Sequence, residues 1–424
     1  DNIAAIDYPH EALEIQVLDD STDETYDLIA KKVQELQNNG LPIQHIHRTN
    51  RTGFKAGALK EGLEIAKGDY IAIFDADFLP DPSWLKQTLP YFSTKNIGAV
   101  QTKWGHLNRD YSFLTKVQAF ALDIHFTMEQ VGRYAGGHFI NFNGTAGIWR
   151  KDCILDAGNW RALSLTEDLD LSYRAQLKGW KMVYLEQVET PAELPVDITA
   201  AKSQQFRWNK GGAENLRLHL YDLMNNKTLS FKTKLFGIFH LLSSSVFVFV
   251  LLLAVLSVAM LHIKMSHPEL QNYFIVSSSF IVSTLLLFYS YWYVFTEGKS
   301  RSPRLFLHYI KEFFSFFTIA LGFSLHNSIA VVEGWIGKKS PFVRTPKFNV
   351  AAAKANWRKN KYLAKKIKFS VWLEGVLALY FAYGIYAAFT SGSAIDLGLV
   401  PLHLMLLIGY SLVFAKTIQS RLLN

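Results

Sequence analysis

A chain of 424 residues has room for two or three domains, and a formal net charge of +8 asks for an anionic partner. Its Lys and Arg residues gather beside long apolar blocks, at 299–304 and 338–368, where they suit the anionic leaflet of a bilayer better than DNA, so nucleic acid is set aside as a partner. One cysteine, Cys153, excludes an internal disulfide and agrees with a cytosolic catalytic part.

The chain opens at Asp1, without Met or a signal-like segment, on a stretch Asn2 to Ile6 that reads as a helix leading to a strand at Leu13 to Leu18; upstream sequence is expected to be missing. Short apolar runs then alternate with helical stretches: LEIQVLD, DETYDLIAKKVQELQNNG, IQHIHR, KAGALKEGLEIAKGD and YIAIFDAD. This alternation predicts a parallel sheet with helices on both faces, whose ligands gather at the carboxyl ends of the strands. Acidic residues stand there twice, as Asp19-Asp20 and as Asp75-Ala76-Asp77. A turn or helix cap accounts for the first pair equally well. It serves the second pair less well, because Asp81, with Pro82 behind it, already supplies a cap for the next helix. Two carboxylates at the end of a buried strand need a cation, and a hard divalent ion bridging to a diphosphate would satisfy both. In the intervening RTGFKAGALKEG, Gly53 and Gly57 free the backbone and Lys55 is placed to reach a phosphate.

Further on, ALSLTEDLDLSYRAQLKGW puts Thr166 at a helix N-cap and Glu167, Asp168 and Asp170 in the first turn, where the helix dipole alone favours acids. AKSQQFRWNKGGAENLRLHL carries Gln204, Arg207 and Trp208 on a basic helix that could equally be an interfacial anchor. Residues 1–226 thus read as a soluble domain and 227–424 as a membrane domain. Four blocks (235–261, 273–295, 369–390 and 397–417) approach or exceed the roughly 20 residues a spanning helix needs, and only Glu374 charges their apolar interiors. Block 305–336 is interrupted by Lys311 and Glu312 and has basic segments on both flanks, which predicts an interfacial or re-entrant element rather than a crossing.

Taken in order, Asp19-Asp20, Asp75-x-Asp77, Thr166-Glu167-Asp168 and Gln204-x-x-Arg207-Trp208 resemble the signature set of processive family-2 glycosyltransferases, the cellulose synthase superfamily. QTKWGHLN at 101–108 and GGHFINFNGTAGIWR at 136–150 are similar to plant cellulose-synthase-like mannan and glucan synthases and their bacterial relatives. In the basic loop, Phe342-Val343-Arg344-Thr345-Pro346-Lys347 resembles that family's gating loop, departing from it at Arg344.

The resemblance implies an α/β GT-A (Rossmann-like) domain followed by an α-helical transmembrane domain. It implies an inverting enzyme in which Asp168, with Glu167 beside it, is the catalytic base. Asp75 and Asp77 would hold Mg2+ or Mn2+ and the diphosphate, with Asp19 or Asp20 near the nucleotide and Lys55 on the diphosphate. Phe142, Asn143, Gly144 and Thr145 would shape the acceptor pocket, Gln204, Arg207 and Trp208 would meet acceptor and diphosphate, and Phe342, Thr345 and Lys347 would close over the nucleotide. The implied partners are UDP-glucose or GDP-mannose, a β-linked polysaccharide acceptor, a lipid bilayer and accessory export subunits. The implied location is a multi-pass membrane protein, catalytic domain cytoplasmic, in a bacterial inner membrane. A non-processive transferase acting on a lipid-linked or short acceptor is the alternative. The family's core begins with a nucleotide-binding strand upstream of Asp1, so a chain starting there would have an incomplete donor site.

Overall fold

The computed structural model describes residues 1–349, 367–390 and 396–422. Of the basic loop expected at 338–368, positions 350–366, with Lys354, Arg358, Lys359, Lys361, Lys365 and Lys366, lie outside the described residues.

The expected first helix is a single 3-10 turn, Ile3–Ala5, followed by another at His10–Ala12, because Pro9 restricts the backbone before a longer helix can nucleate. Strand β1 (Ile15–Asp19) then pairs in parallel with β2 (Ile43–His47) across helix α1 (Thr25–Asn38). Helix α2 (Phe54–Ile65) leads to β3 (Tyr70–Ile73). There follow α3 (Trp84–Thr88), β4 (Ile97–His106) and α4 (Phe113–Ile124), then a π-helical turn (His125–Gln130) and α5 (Val131–Ala135). The domain finishes with β5 (Gly147–Arg150), α6 (Lys151–Asp156), α7 (Glu167–Leu177), β6 (Lys181–Ala192) and the long α8 (Ile198–Asn225).

The parallel sheet read from the alternation is corrected in two ways. The strands form two sheets, β1-β2 and β3-β5-β4-β6, and in the second β5 runs antiparallel to both neighbours while β4 and β6 are parallel. Alternation constrains only strands joined by a helical crossover, as β1 and β2 are; β5 is reached through loop 136–146, and its burial says nothing about direction. Likewise β3, which reads as fully buried, is an edge strand with only Ile73 buried. Successive β5 residues face opposite sides: Ile148 packs with Trp84, Val100 and Leu185, and Trp149 with Phe126, Phe142 and Leu171. The antiparallel register sets Gly147 against Ile73, which brings residues 143–146 alongside Asp75. This pairing builds the site.

The C-terminal part contains α9 (Phe231–Leu242), α10 (Val246–Ser266), α11 (Gln271–Ser277), α12 (Ile281–Phe295), α13 (Pro303–Trp335), α14 (Phe369–Thr390) and α15 (Val400–Leu422). Among the described residues, five helical stretches are long and apolar enough to cross a membrane: Phe231–Ser266, Pro268–Phe295, Pro303–Trp335, Phe369–Thr390 and Leu397–Leu422. The block with Lys311 and Glu312 is thus one unbroken helix, α13. It lies close against α15, where a Cβ on Gly322 would run into the Gly409 backbone.

Two carboxylates in these helices find partners on α8. Glu374 of α14 accepts from Lys202 at 2.7 and 2.8 Å, Thr417 of α15 accepts from the same ammonium at 3.1 Å, and both charged groups are buried. Glu333 near the end of α13 pairs with Lys210 at 3.1 Å. Such pairing fastens the α/β domain to the helical part, since removing one partner would strand the other in a low-dielectric interior.

Candidate active site

At the exit of β1, the two acids are consumed by their own surroundings. Asp19 accepts from the amide and hydroxyl of Ser21, each at 2.8 Å, and faces His45 Nε2 at 3.0 Å. Burial works to raise its pKa, and these hydrogen bonds outweigh it, so the carboxyl titrates below its ordinary range. Asp20 receives a forked pair from Arg48, Nε to Oδ1 at 2.7 Å and a terminal nitrogen to Oδ2 at 2.5 Å, both side chains being buried. The same guanidinium reaches the Thr52 and Phe54 carbonyls, and so ties the β1 exit to the start of α2. There Gly53 (φ +74) and Phe54 (φ 50) both take left-handed backbone. Arg48 escaped the sequence reading; the available signal was an arginine leaving a second parallel strand beside an Asp pair.

The cation demanded at Asp75 and Asp77 takes the form of two ammonium groups. Lys55 Nζ lies 2.5 Å from Asp75 Oδ1 and 2.8 Å from the Gly144 carbonyl. Lys347 Nζ lies 2.7 Å from Asp77 Oδ2 and also donates to the Glu193 carbonyl. Thr145 Oγ1 accepts from the Asp75 amide at 2.8 Å, locking the end of β3 to the loop before β5. Burial works against the charge on Lys55, but Asp75, Glu167 and Asp168 together raise its pKa.

Glu167 and Asp168 open α7. Thr166 holds the N-cap position but makes no side-chain cap; its hydroxyl instead receives Asn215 Nδ2 of α8 at 2.9 Å, because α8 packs directly over it at Gly211. Asp81 departs similarly: Ser83 holds the N-cap position of the next helix, also without a side-chain cap, and Asp81 accepts from the Ser83 amide at 2.9 Å in the turn before it. Burial first, and then the neighbouring charge of Glu167, push the Asp168 carboxyl up to about 7, against the pull of the Leu169 amide and Lys55. Burial raises Glu167 as well. Asp168 lies over the Gly144 backbone: a Cβ there would stand 3.0 Å from Asp168 Oδ2 and 3.7 Å from Lys55 Nζ, at φ +79. Gly144→Ala is therefore expected to lower initial transfer rates by on the order of tenfold to 100-fold, through displacement of that carboxylate and backbone strain. An unchanged rate at saturating donor would contradict this placement.

The motif on α8 meets the gating-type loop. Arg207 donates to Thr345 Oγ1 at 2.9 Å and to the Val343 carbonyl at 3.2 Å, and lies 4.6 Å from the centroid of the Phe342 ring. Phe342 in turn stacks on Phe54 at 5.6 Å. The Trp208 ring stands 6.4 Å from that of Trp104, a residue absent from the expected set, and Gln204 is half-buried on the same helix. Phe142 is corrected: it has no exposed surface and packs 5.3 Å from Trp149, so it supports the loop from beneath rather than facing an acceptor. Asn143 is held by Gln101, whose Oε1 accepts its amide at 2.9 Å. Lys55, Asp75, Gly144, Thr145, Glu167, Asp168 and Arg207 thus share one crevice, with Asp77 joined to it through the loop at Lys347, while Asp19 and Asp20 remain in their own turn.

An α/β domain with a raised carboxyl at a helix start, a second acidic pair at a strand end and basic side chains between them has the make-up of a glycosyltransferase of the GT-A kind. Residues 1–211 match the family described as "Glycosyltransferase like family 2", and the chain belongs to that family. It is 40% identical over 243 residues to glucomannan 4-beta-mannosyltransferase 1 of Oryza sativa subsp. japonica, covering 56% of this chain and 47% of that protein. It is 41% identical over 239 residues to glucomannan 4-beta-mannosyltransferase 2 of Arabidopsis thaliana, covering 55% and 45%. The chain spans about half the length of the curated relatives it matches. Among solved structures it is similar to the mannosyltransferase PcManGT from Pyrobaculum calidifontis, in complex with GDP-Man and Mn2+, at a TM-score of 0.46 and 16% identity, covering 80% of this chain and 82% of that one.

Proposed function

We propose that the protein is a membrane-embedded, inverting, processive glycosyltransferase. It moves a hexosyl unit from a nucleoside-diphosphate sugar to the growing end of a β-1,4-linked polysaccharide and passes the product through its helical part. The observation that carries this reading is Asp168: a carboxylate raised to about 7, over Gly144 and near Lys55, is a base matched to neutral pH. The acceptor hydroxyl gives its proton to Asp168 and its oxygen bonds to the anomeric carbon from the face opposite the diphosphate. The bond to the diphosphate breaks with its electron pair on the leaving oxygen. Lys55 and Arg207, both within electrostatic reach of Asp75 and Asp168, stabilise that charge.

Asp75 and Asp77 fit a hard divalent ion, Mg2+ or Mn2+. Each spends one oxygen on a lysine and keeps the other, and two carboxylates plus donor phosphates are a set such an ion accepts. Among the described residues no group of three or more His, Cys, Asp or Glu side chains could hold a metal, so the ion would lean on the diphosphate. When bound, it supplies further positive charge for the leaving group.

The relatives' mannosyltransferase names favour a mannosyl donor, GDP-mannose over UDP-glucose. The catalytic domain would face the cytoplasm, with α13 at the interface and the other four apolar stretches crossing. The test is product length on membranes given radiolabelled donor. A ladder many units long is expected, and it should collapse in excess chelator. A product only one unit longer than the acceptor would leave a non-processive transferase, and full synthesis in chelator would remove the metal.

A further inference from the structure

Helix α4 ends in six residues of π-helix, His125–Gln130, outside every motif used so far. A π turn has poorer hydrogen bonding than an α-helix and re-aims the side chains that follow; such turns are frequent at functional sites. Three of its residues are anchored. Phe126 is buried in the core, Thr127 Oγ1 accepts from Lys103 Nζ at 2.9 Å, and Gln130 Nε2 donates to the Asn141 carbonyl at 2.9 Å. That anchoring leaves His125 and Glu129 presented outward, with side-chain exposures of 27% and 47%.

These two side chains form a polar line that leads to the base. Glu129 Oε2 lies 2.9 Å from His125 Nδ1, and His125 Nε2 lies 3.3 Å from Asn143 Oδ1. Asn143 immediately precedes Gly144, over whose backbone Asp168 sits. Burial acts to raise the Glu129 carboxyl, but His125 and Arg133 hold it below its ordinary value, so it is anionic at neutral pH. Beside the line runs an aromatic one: His125 to Phe126 at 5.0 Å, Phe126 to Trp104 at 5.3 Å, and Trp104 to Trp208 at 6.4 Å. Asn143 Nδ2 and Trp104 Nε1 are buried and lack a hydrogen-bond partner among the described residues. Two donors without partners, next to a carboxylate, an imidazole and two indole rings, form a donor and acceptor set that a sugar ring completes. Tyr291 of α12 is within electrostatic reach of Glu129, so the cluster also lies where the α/β domain meets the apolar helices.

We propose that His125, Glu129 and Asn143 form an acceptor-side subsite that reads the hydroxyls of a pyranose unit, with Trp104 and Trp208 offering their faces to its C–H side. This rests on the glycosyltransferase reading above. A hydroxyl donates to the Glu129 carboxylate and accepts from Asn143 Nδ2, while His125 Nδ1 donates to Glu129 and Asn141 Nδ2 donates to Asn143 Oδ1 at 2.6 Å, which fixes both residues in place. The competing account is a solvated His–Glu pair one helical turn apart, which steadies the turn slightly and gives nothing to the acceptor.

The test uses the full chain in membranes, GDP-mannose or UDP-glucose as donor, and β-1,4-linked mannohexaose or cellohexaose as acceptor. In Glu129→Gln and in His125→Gln, the acceptor KM should rise roughly tenfold or more, as expected for lost hydrogen bonds to a charged group. Donor KM should hold, and the preference between the two hexaoses should shift. An acceptor KM equal to wild type in both variants overturns the subsite, whether or not kcat falls, because a merely structural role lowers turnover without selecting the acceptor. Failure of the wild-type chain to extend either hexaose with either donor overturns the parent reading instead.

Discussion

Asp168→Asn is expected to lower sugar transfer by roughly 100-fold or more, the contribution of a positioned general base, while donor affinity is kept. Asparagine preserves the shape of the side chain and an oxygen for the Leu169 amide, which Asp168 accepts at 2.9 Å. What it loses is the ability to take the acceptor's proton. The alternative explanation of a loss, misfolding, predicts the opposite stability change from the one the site implies. Burial and Glu167 hold the Asp168 carboxyl at about 7, above the ordinary 3.8, so the folded state binds a proton that the unfolded chain has released. Stability therefore falls as pH rises from 3.8 toward about 7, and a neutral asparagine relieves that penalty. The variant should melt no lower than wild type at neutral pH and yet be nearly inactive.

The same shift sets the pH profile. As the proposed base, Asp168 has to be deprotonated for transfer, so the logarithm of kcat/KM should climb with pH on the acid side and level off above about 7. Glu167→Gln removes the neighbouring negative charge, and that acid limb should move to lower pH. A limb that stays in place in Glu167→Gln would show that the titrating group is not coupled to it.

Much of this crevice is legible in the sequence because its chemistry is tied to short local spacings. Asp75-x-Asp77 follows a strand, Glu167-Asp168 opens a helix and Lys55 follows a glycine turn, each at the element end where the sequence puts it. What escaped depends on long-range pairing. The fork from Arg48 to Asp20 spans 28 positions, and the bond from Lys347 to Asp77 spans 270, so neither leaves a local pattern. The antiparallel sense of β5, which delivers Gly144 and Thr145 beside Asp75, is invisible to hydrophobic periodicity, since a strand buried on both faces reads alike in either direction. Phe142 shows the converse limit. Its neighbours belong to the site, but alternation turns its own ring into the core.

Asp170 is where the magnitudes decide most sharply between two accounts. An acid in the first turn of α7 gains about 0.3–1 kcal/mol from the helix dipole, and on that ground alone Asp170→Asn would be mild. The side chain, however, has no exposed surface and is met by Arg161 at 2.6 Å, Arg174 at 2.7 Å and His219 of α8 at 3.0 Å. Arg174 also donates to the Asn159 and Ala157 carbonyls, so this one carboxylate joins the segment before Asp168, the helix that carries Asp168 and the helix that carries Arg207. Removing its charge leaves two guanidinium groups without their counter-ion, one of them mostly buried, and breaking a buried pair in this way costs about 3–5 kcal/mol. Asp170→Asn is therefore expected to lower the unfolding temperature of the full chain clearly. The pH dependence follows with a definite sign. Burial would raise the Asp170 carboxyl, but His219, Arg161 and Arg174 hold it well below the ordinary 3.8. Its stabilisation is complete above 3.8 and drains away as acidification approaches the folded-state value. Wild type should accordingly lose stability steeply below about pH 4, and the variant should lack that portion of the slope. Thermal unfolding of both proteins across that range measures it, and coincident melting curves would reduce Asp170 to a dipole effect.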